Sequence, residues 1–93
     1  MVTAIVLMNV ERSRVNRTAE ELAGMQEVSE VYSVSGRFDL VAMIRVKTND
    51  QVAEMVTNRL PEVEGIQSTE TMLAFRAYSR HDLDRMFSLG FEQ

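Results

Sequence analysis

The chain has no cysteine and no tryptophan, and only one proline, one histidine and one lysine. Lack of cysteine excludes disulfides, thiolate metal sites and a cysteine nucleophile. Long apolar runs are also missing: nothing approaches the roughly 18 residues a membrane span needs, so the chain is expected to be soluble. The apolar start, Val2 to Val10, has no basic segment before it and no small-residue cleavage site after it. It therefore reads as a strand rather than a signal peptide, and a cytoplasmic location is expected. Positive charge is scarce as well. The net charge is −4 and the isoelectric point is near 4.9, which argues against a surface for nucleic-acid phosphates. Nine of the ten basic residues are arginines, spread from Arg12 to Arg85 with acids between them, the pattern of a solvated surface.

What remains is an ordinary globular composition, with 45% hydrophobic and 26% charged residues in 93. That length supports a single domain over residues 1–93, small enough for self-association to contribute to its stability.

Val2 to Val10 is short and rich in β-branched residues, which predicts a buried first strand. From Ser13 the period changes. Val15, Ala19, Leu22 and Ala23 recur at helical spacing, and Gly24 is placed to close that helix in the left-handed conformation. Val28 to Val34 and Phe38 to Val46 read as two strands of an antiparallel hairpin around Ser35-Gly36-Arg37. Thr48-Asn49-Asp50-Gln51 fits a capping box, opening a helix with Val52, Met55, Val56 and Leu60 on one face and a stop at Pro61. A last strand, about Ile66 to Tyr78, precedes a short helix from Ser79 to Leu89 striped by Leu83, Met86 and Phe87.

The order is β-α-β-β-α-β plus a C-terminal helix, and an internal repeat supports it. Aligning "IVLMNVERSR…MQEVSEVYSV" with "VAMIRVKTND…LPEVEGIQST" pairs Val10 with Val46, Val28 with Val63 and Val31 with Ile66. Two βαβ halves with right-handed crossovers predict an α+β, ferredoxin-like fold with a four-stranded antiparallel sheet ordered 4-1-3-2. Both sheet faces are apolar at the centre: Ala4, Val6 and Met8 oppose Ile5 and Leu7, and Phe38, Leu40 and Ile44 oppose Val41 and Met43. A spare apolar face predicts a homodimer with sheets packed face to face, an assembly of dimeric α/β-barrel type. The seven methionines fit a core or interface filler better than metal ligation.

Catalytic signals are thin. His81, in "YSRHDLDRM", sits at the start of the last helix without convergent partners, and Glu20, Glu21, Glu62 and Glu64 read as solvated charges. There is no phosphate loop, no G-x-S-x-G and no metal-ligand spacing. No enzyme activity, metal or cofactor is expected. Polar residues inside strands say more. In "QSTETMLAF", Thr69 and Thr71 share one face and Ser68 and Glu70 the other; these hydroxyls serve either as edge-strand β-formers or as the lining of a polar pocket. Gly36 permits positive φ and close backbone approach, which a bare turn explains. Asp39, inside the predicted strand, can accept from an ammonium group, and a turn does not explain it.

The V-x-G-x-x-D-hydrophobic pattern of "VYSVSGRFDLVAMIRV" and the G-[IV]-x-x-[ST]-x-[ST] pattern of "EVEGIQSTETMLAF" resemble the ligand-binding and oligomerisation (RAM) domain of the Lrp/AsnC, or feast/famine, transcription regulators. The likeness runs from the first strand to about Tyr78. The chain opens directly on a sheet strand, without the helix-turn-helix domain of full-length members, and so resembles the stand-alone form. The resemblance implies a homodimer assembled into higher oligomers such as a tetramer of dimers. It also implies an amino acid or related effector bound between subunits, and possible co-assembly with full-length regulators. Carried over residue by residue, Gly36, Arg37, Phe38 and Asp39 match the effector-contacting hairpin, and Thr69 and Thr71 match the strand that completes the site.

Two other readings share the architecture. A small dimeric α/β-barrel enzyme, monooxygenase- or isomerase-like, needs an interior His, Asn or Trp set that is missing here. An RNA-binding βαββαβ module needs aromatic and basic residues on the open face, where this chain puts aliphatics.

Overall fold

The computed structural model of the chain describes residues 1–78 and Arg80. Strand β1 (Val2–Val10) is followed by a 3-10 turn (Arg12–Arg14), helix α1 (Val15–Ala23), strands β2 (Val28–Ser33) and β3 (Leu40–Val46), helix α2 (Asn49–Glu54) and strand β4 (Ile66–Ala74). The sheet order is β2-β3-β1-β4 and every pairing is antiparallel, the predicted 4-1-3-2 order read from the other edge. The expected C-terminal helix and His81 lie outside the described residues.

The alternation predicted for the central strands is the one that builds the core. Ala4, Val6, Met8 and Val10 of β1 and Leu40, Ala42, Ile44 and Val46 of β3 are buried, together with Leu22, Val52, Met55 and Leu60 from the helical layer. Each fully buried Leu, Ile or Met contributes about 1.5–3 kcal/mol. The repeat holds at this level: Val10 and Val46 are both buried strand ends, Val28 and Val63 are both buried, and Val31 and Ile66 both pack against the core. In α1 the buried positions are Thr18 and Leu22, while Ala23 is exposed. Thr18 enters the core because its hydroxyl donates to the Glu64 carbonyl at 2.8 Å, which satisfies a polar group that burial would otherwise penalise.

Several boundaries differ from the sequence reading, each for a local reason. Gly24 does close α1, but at φ −79°, in the right-handed region; its amide donates to the carbonyls of Glu20 and Glu21, so no left-handed cap forms. Phe38 and Asp39 fall outside β3. A strand residue directs its N–H and C=O to the same neighbour, whereas Asp39 donates its N–H to Met8 O on β1 at 2.8 Å and accepts from Val34 N on the β2 side at 3.1 Å. β4 ends at Ala74, not Tyr78.

The capping box at α2 is present. Thr48 Oγ1 accepts from Gln51 N at 3.2 Å and Gln51 Oε1 accepts from Thr48 N at 3.1 Å, a cap worth about 1 kcal/mol. The helix does not stop at Pro61. It widens into a π-helical turn (Met55–Arg59) and tightens into a 3-10 turn (Leu60–Glu62) that tolerates Pro61 in its first turn. Among the described residues no helix is long and apolar enough to cross a membrane.

Candidate functional site

The chain path gathers the predicted site residues at one end of the sheet. β1 ends at Val10, β3 begins at Leu40, and α2 with its following turns returns the chain to the start of β4 beside Val10. The β2–β3 connection therefore lies on one side of the β1 end and the start of β4 on the other.

In that connection Gly36 has φ +111° and open space around it, so only the backbone conformation requires glycine. Gly36 and Arg37 are exposed, Phe38 and Asp39 partly buried. Asp39 is held in the fold by its own carboxylate, whose Oδ2 accepts from Val10 N at 2.8 Å. Together with the Asp39 N–H to Met8 O bond, this clamps the connection to the β1 end just where the β1–β4 register shifts between Asn9 and Val10. The carboxylate thus caps a β1 amide that lies beyond the start of β3 and has no ladder partner there, a role that sequence patterning could not show.

Thr69 and Thr71 are exposed and stand opposite Met8 and Val6, hence on the helix side of the sheet. Leu73 shares that side and is 48% exposed, so among the described residues the helical layer leaves the far end of β4 uncovered. Ser68, on the other face, takes a hydrogen bond from Asn9 Nδ2 at 3.0 Å. Met8 accepts from the β3 side, so alternation turns Leu7 toward β4 and its partner Glu70 toward β1. By the same alternation Thr69 and Thr71 point their backbone N–H and C=O outward, along the open edge. Adjacent strands lie about 4.8 Å apart, so Asp39 and Thr69 of one chain are separated by roughly 10 Å, with β1 between them.

Beside Thr69 lies a cavity of about 290 Å³ lined by Val56, Leu60, Pro61, Ile66, Gln67, Ser68 and Thr69. Its apolar wall comes from the π-helical turn and the residues that follow it. The sequence reading placed Val56 and Leu60 on a core stripe and did not single out the wall. In the sequence Val52, Met55, Val56 and Leu60 fall at ordinary α-helical spacing, so the pattern carries no signal of the π-helical turn or of the wall it forms.

The open sheet face carries the spare apolar patch. Ile5 pairs laterally with Met43 on β3 and Met72 on β4, next to the Leu7–Val41 pair; Met72 is 45% exposed. Its rim is polar: Arg45 contacts Ser29 at 3.0 Å and Glu30 at 3.5 Å. The Tyr32 hydroxyl donates to Glu30, and this bond, with the Glu30 charge, raises the Tyr32 pKa above its ordinary value. Among the described residues no group of three or more His, Asp or Glu side chains could hold a metal ion.

A four-stranded antiparallel sheet ordered β2-β3-β1-β4 with helices on one face defines the class: a small α+β domain of ferredoxin-like fold. The family follows from comparison. The model of the Lrp/AsnC ligand-binding domain matches residues 3–83, and the chain belongs to that family. A crystal structure of TTHA0845 from Thermus thermophilus is 45% identical, with a TM-score of 0.79 over 86% of this chain and 100% of that one. An uncharacterised HTH-type transcriptional regulator of Pyrococcus furiosus is 32% identical over 77% of this chain and 49% of its own length. The HTH-type transcriptional regulator YugG of Bacillus subtilis, also uncharacterised, is 33% identical over 96% of this chain and 54% of its own. The chain thus spans about half the length of the curated relatives it matches.

Proposed function

We propose that this domain is a non-enzymatic regulatory module that assembles through its open sheet face and binds an amino acid or related small effector where subunits meet. The observation that carries the reading is the convergence of Gly36–Asp39 and Thr69 on one sheet end in a chain that matches a ligand-binding domain. The roughly 10 Å between Asp39 and Thr69 is too far for one small ligand to bridge within a chain, which favours halves of a site supplied by different copies. Thr71, one pair further along β4, extends the threonine side. Arg37 and Phe38 flank Asp39 on the hairpin. Co-assembly with full-length regulators of the family belongs to the same reading. Cytoplasmic location is consistent with it.

The test is isothermal titration of the 20 amino acids into wild type, Asp39→Asn and Asp39→Ala, with light scattering on each. Asn retains an oxygen that can accept from Val10 N–H but loses the charge facing an ammonium. Asp39→Asn is expected to keep the wild-type melting temperature and bind the effector about ten-fold or more weakly, the scale of a charged hydrogen bond. Asp39→Ala is expected to lose stability as well, by about 1–3 kcal/mol, because Val10 N–H loses its acceptor. Unchanged affinity in Asp39→Asn removes Asp39 from the site; absence of binding by any amino acid to wild type removes the effector reading.

A further inference from the structure

We infer that residues 79–93 of one copy, through Leu83, Met86 and Phe87, pack into a cavity on the open sheet face of a second copy, so that the two chains exchange C-terminal segments. The inference rests on the sheet-face assembly proposed above and adds the element that locks it. The cavity, of about 340 Å³, lies at the end of β3 remote from Asp39. Its floor is the paired row Arg45–Thr3–Ala74 beside Ile5 and Met43, and Phe75, Arg76 and Ala77 form its wall. The chain therefore leaves β4 on the open face. Phe75, 98% exposed, extends the apolar surface there.

Pattern, charge and reach select the occupant. Ser79 and residues 81–93 lie outside the described residues, but their sequence sets Leu83, Met86 and Phe87 at helical spacing, a stripe that needs an apolar surface to cover. The cavity lining carries two cations, Arg45 and Arg76, and no acid. Asp82 and Asp84 flank Leu83, so the segment brings the opposite charge to that rim. At 1.5 Å per residue the stripe runs from about 6 to about 12 Å beyond Ser79, while sheets packed face to face stand about 10 Å apart. It spans that gap. A return into its own cavity is disfavoured, because Ala77 is still part of the wall and the predicted helix opens at Ser79. Tyr78 alone would have to reverse the chain, where connections take about two residues or more. The family match ends at residue 83, so Met86 and Phe87 add this contact to the domain.

The experiment uses the absence of native cysteine. Met43→Cys and Phe87→Cys are combined in the full chain, oxidised, and run on a denaturing gel without reductant, with each single variant as control. The double variant is expected to give a covalent dimer that reductant dissolves, and neither single variant to give it. A disulfide closed within one chain overturns the inference, because the segment then covers its own face. Absence of any disulfide, while light scattering of wild type reports a multiple of the chain mass, also overturns it: something else fills the cavity, and the assembly reading stands. A monomer mass for wild type overturns both. A second variant reads the energetics without cysteine. Phe87→Asp is expected to keep the wild-type far-UV circular dichroism of the sheet and to raise the dimer dissociation constant about ten-fold or more in sedimentation, the scale of losing a buried aromatic anchor. An unchanged dissociation constant overturns the inference.

Discussion

Gly65→Ala is expected to destabilise the fold by about 3 kcal/mol. Two independent costs meet at this position. Gly65 has φ +98°, where a side-chain-bearing residue costs on the order of 1–2 kcal/mol. A Cβ there would also lie 2.7 Å from Thr18 Oγ1 and 3.1 Å from Arg14 Cβ. Thr18 is buried, and its hydroxyl holds the Glu64 carbonyl. Pushing it aside leaves polar groups unpaired at about another 1–3 kcal/mol. For a domain of this size the melting temperature is expected to fall by roughly 12–25 °C, measured at fixed protein concentration because association shifts it too. Gly36→Ala is the control: its φ is +111° but nothing lies within 4 Å. It is expected to cost the backbone term alone, on the order of 1–2 kcal/mol. Equal losses in the two variants would show that the Thr18 contact carries no weight.

Ile5→Glu is expected to abolish the assembly proposed above. Ile5 is the midpoint of the Met43–Ile5–Met72 row on the open face, and a twofold interface would bury the substitution on both copies at once. A buried, unpaired carboxylate costs several kcal/mol, and Glu30 and Glu70, paired with Met43 and Leu7, already supply negative charge on this face. Light scattering should report the monomer mass for Ile5→Glu where wild type reports a multiple of it, with folding checked by far-UV circular dichroism. Retention of the wild-type mass would exclude this face as the contact.

The architecture was legible because it is written in periodicity. Period two in β1 and β3, period 3.6 in α1 and the repeated valines placed six elements in their observed order and sheet positions. Local hydrogen bonding was not legible. Whether Gly24 closes a helix from the right- or left-handed region depends on where the following chain must go, and Asp39 stands outside β3, with its carboxylate on the Val10 N–H that lies beyond the strand's start. The same limit applies to the candidate site. Residue types nominated Gly36, Asp39, Thr69 and Thr71, but only the strand register shows that the last two face the helix side and the open edge. Val56 and Leu60 were read as a core stripe, Pro61 as a helix stop and Ile66 as the start of the last strand, since nothing in their chemistry distinguishes a cavity wall from a filled one.

The exposure of β4 has a consequence for dynamics. Of its nine residues only Ile66 and Ala74 are even partly buried, so this strand is held to the sheet mainly by its ladder with β1 and little by packing. Elements of that kind open locally at low free energy. In the isolated chain the amides of Ser68, Glu70 and Met72 should therefore exchange with solvent hydrogen faster than those of β3, although both sets are bonded in the same sheet. Association or ligand at the β4 edge would slow them, and their exchange rates then report occupancy of that edge as protein or effector concentration rises.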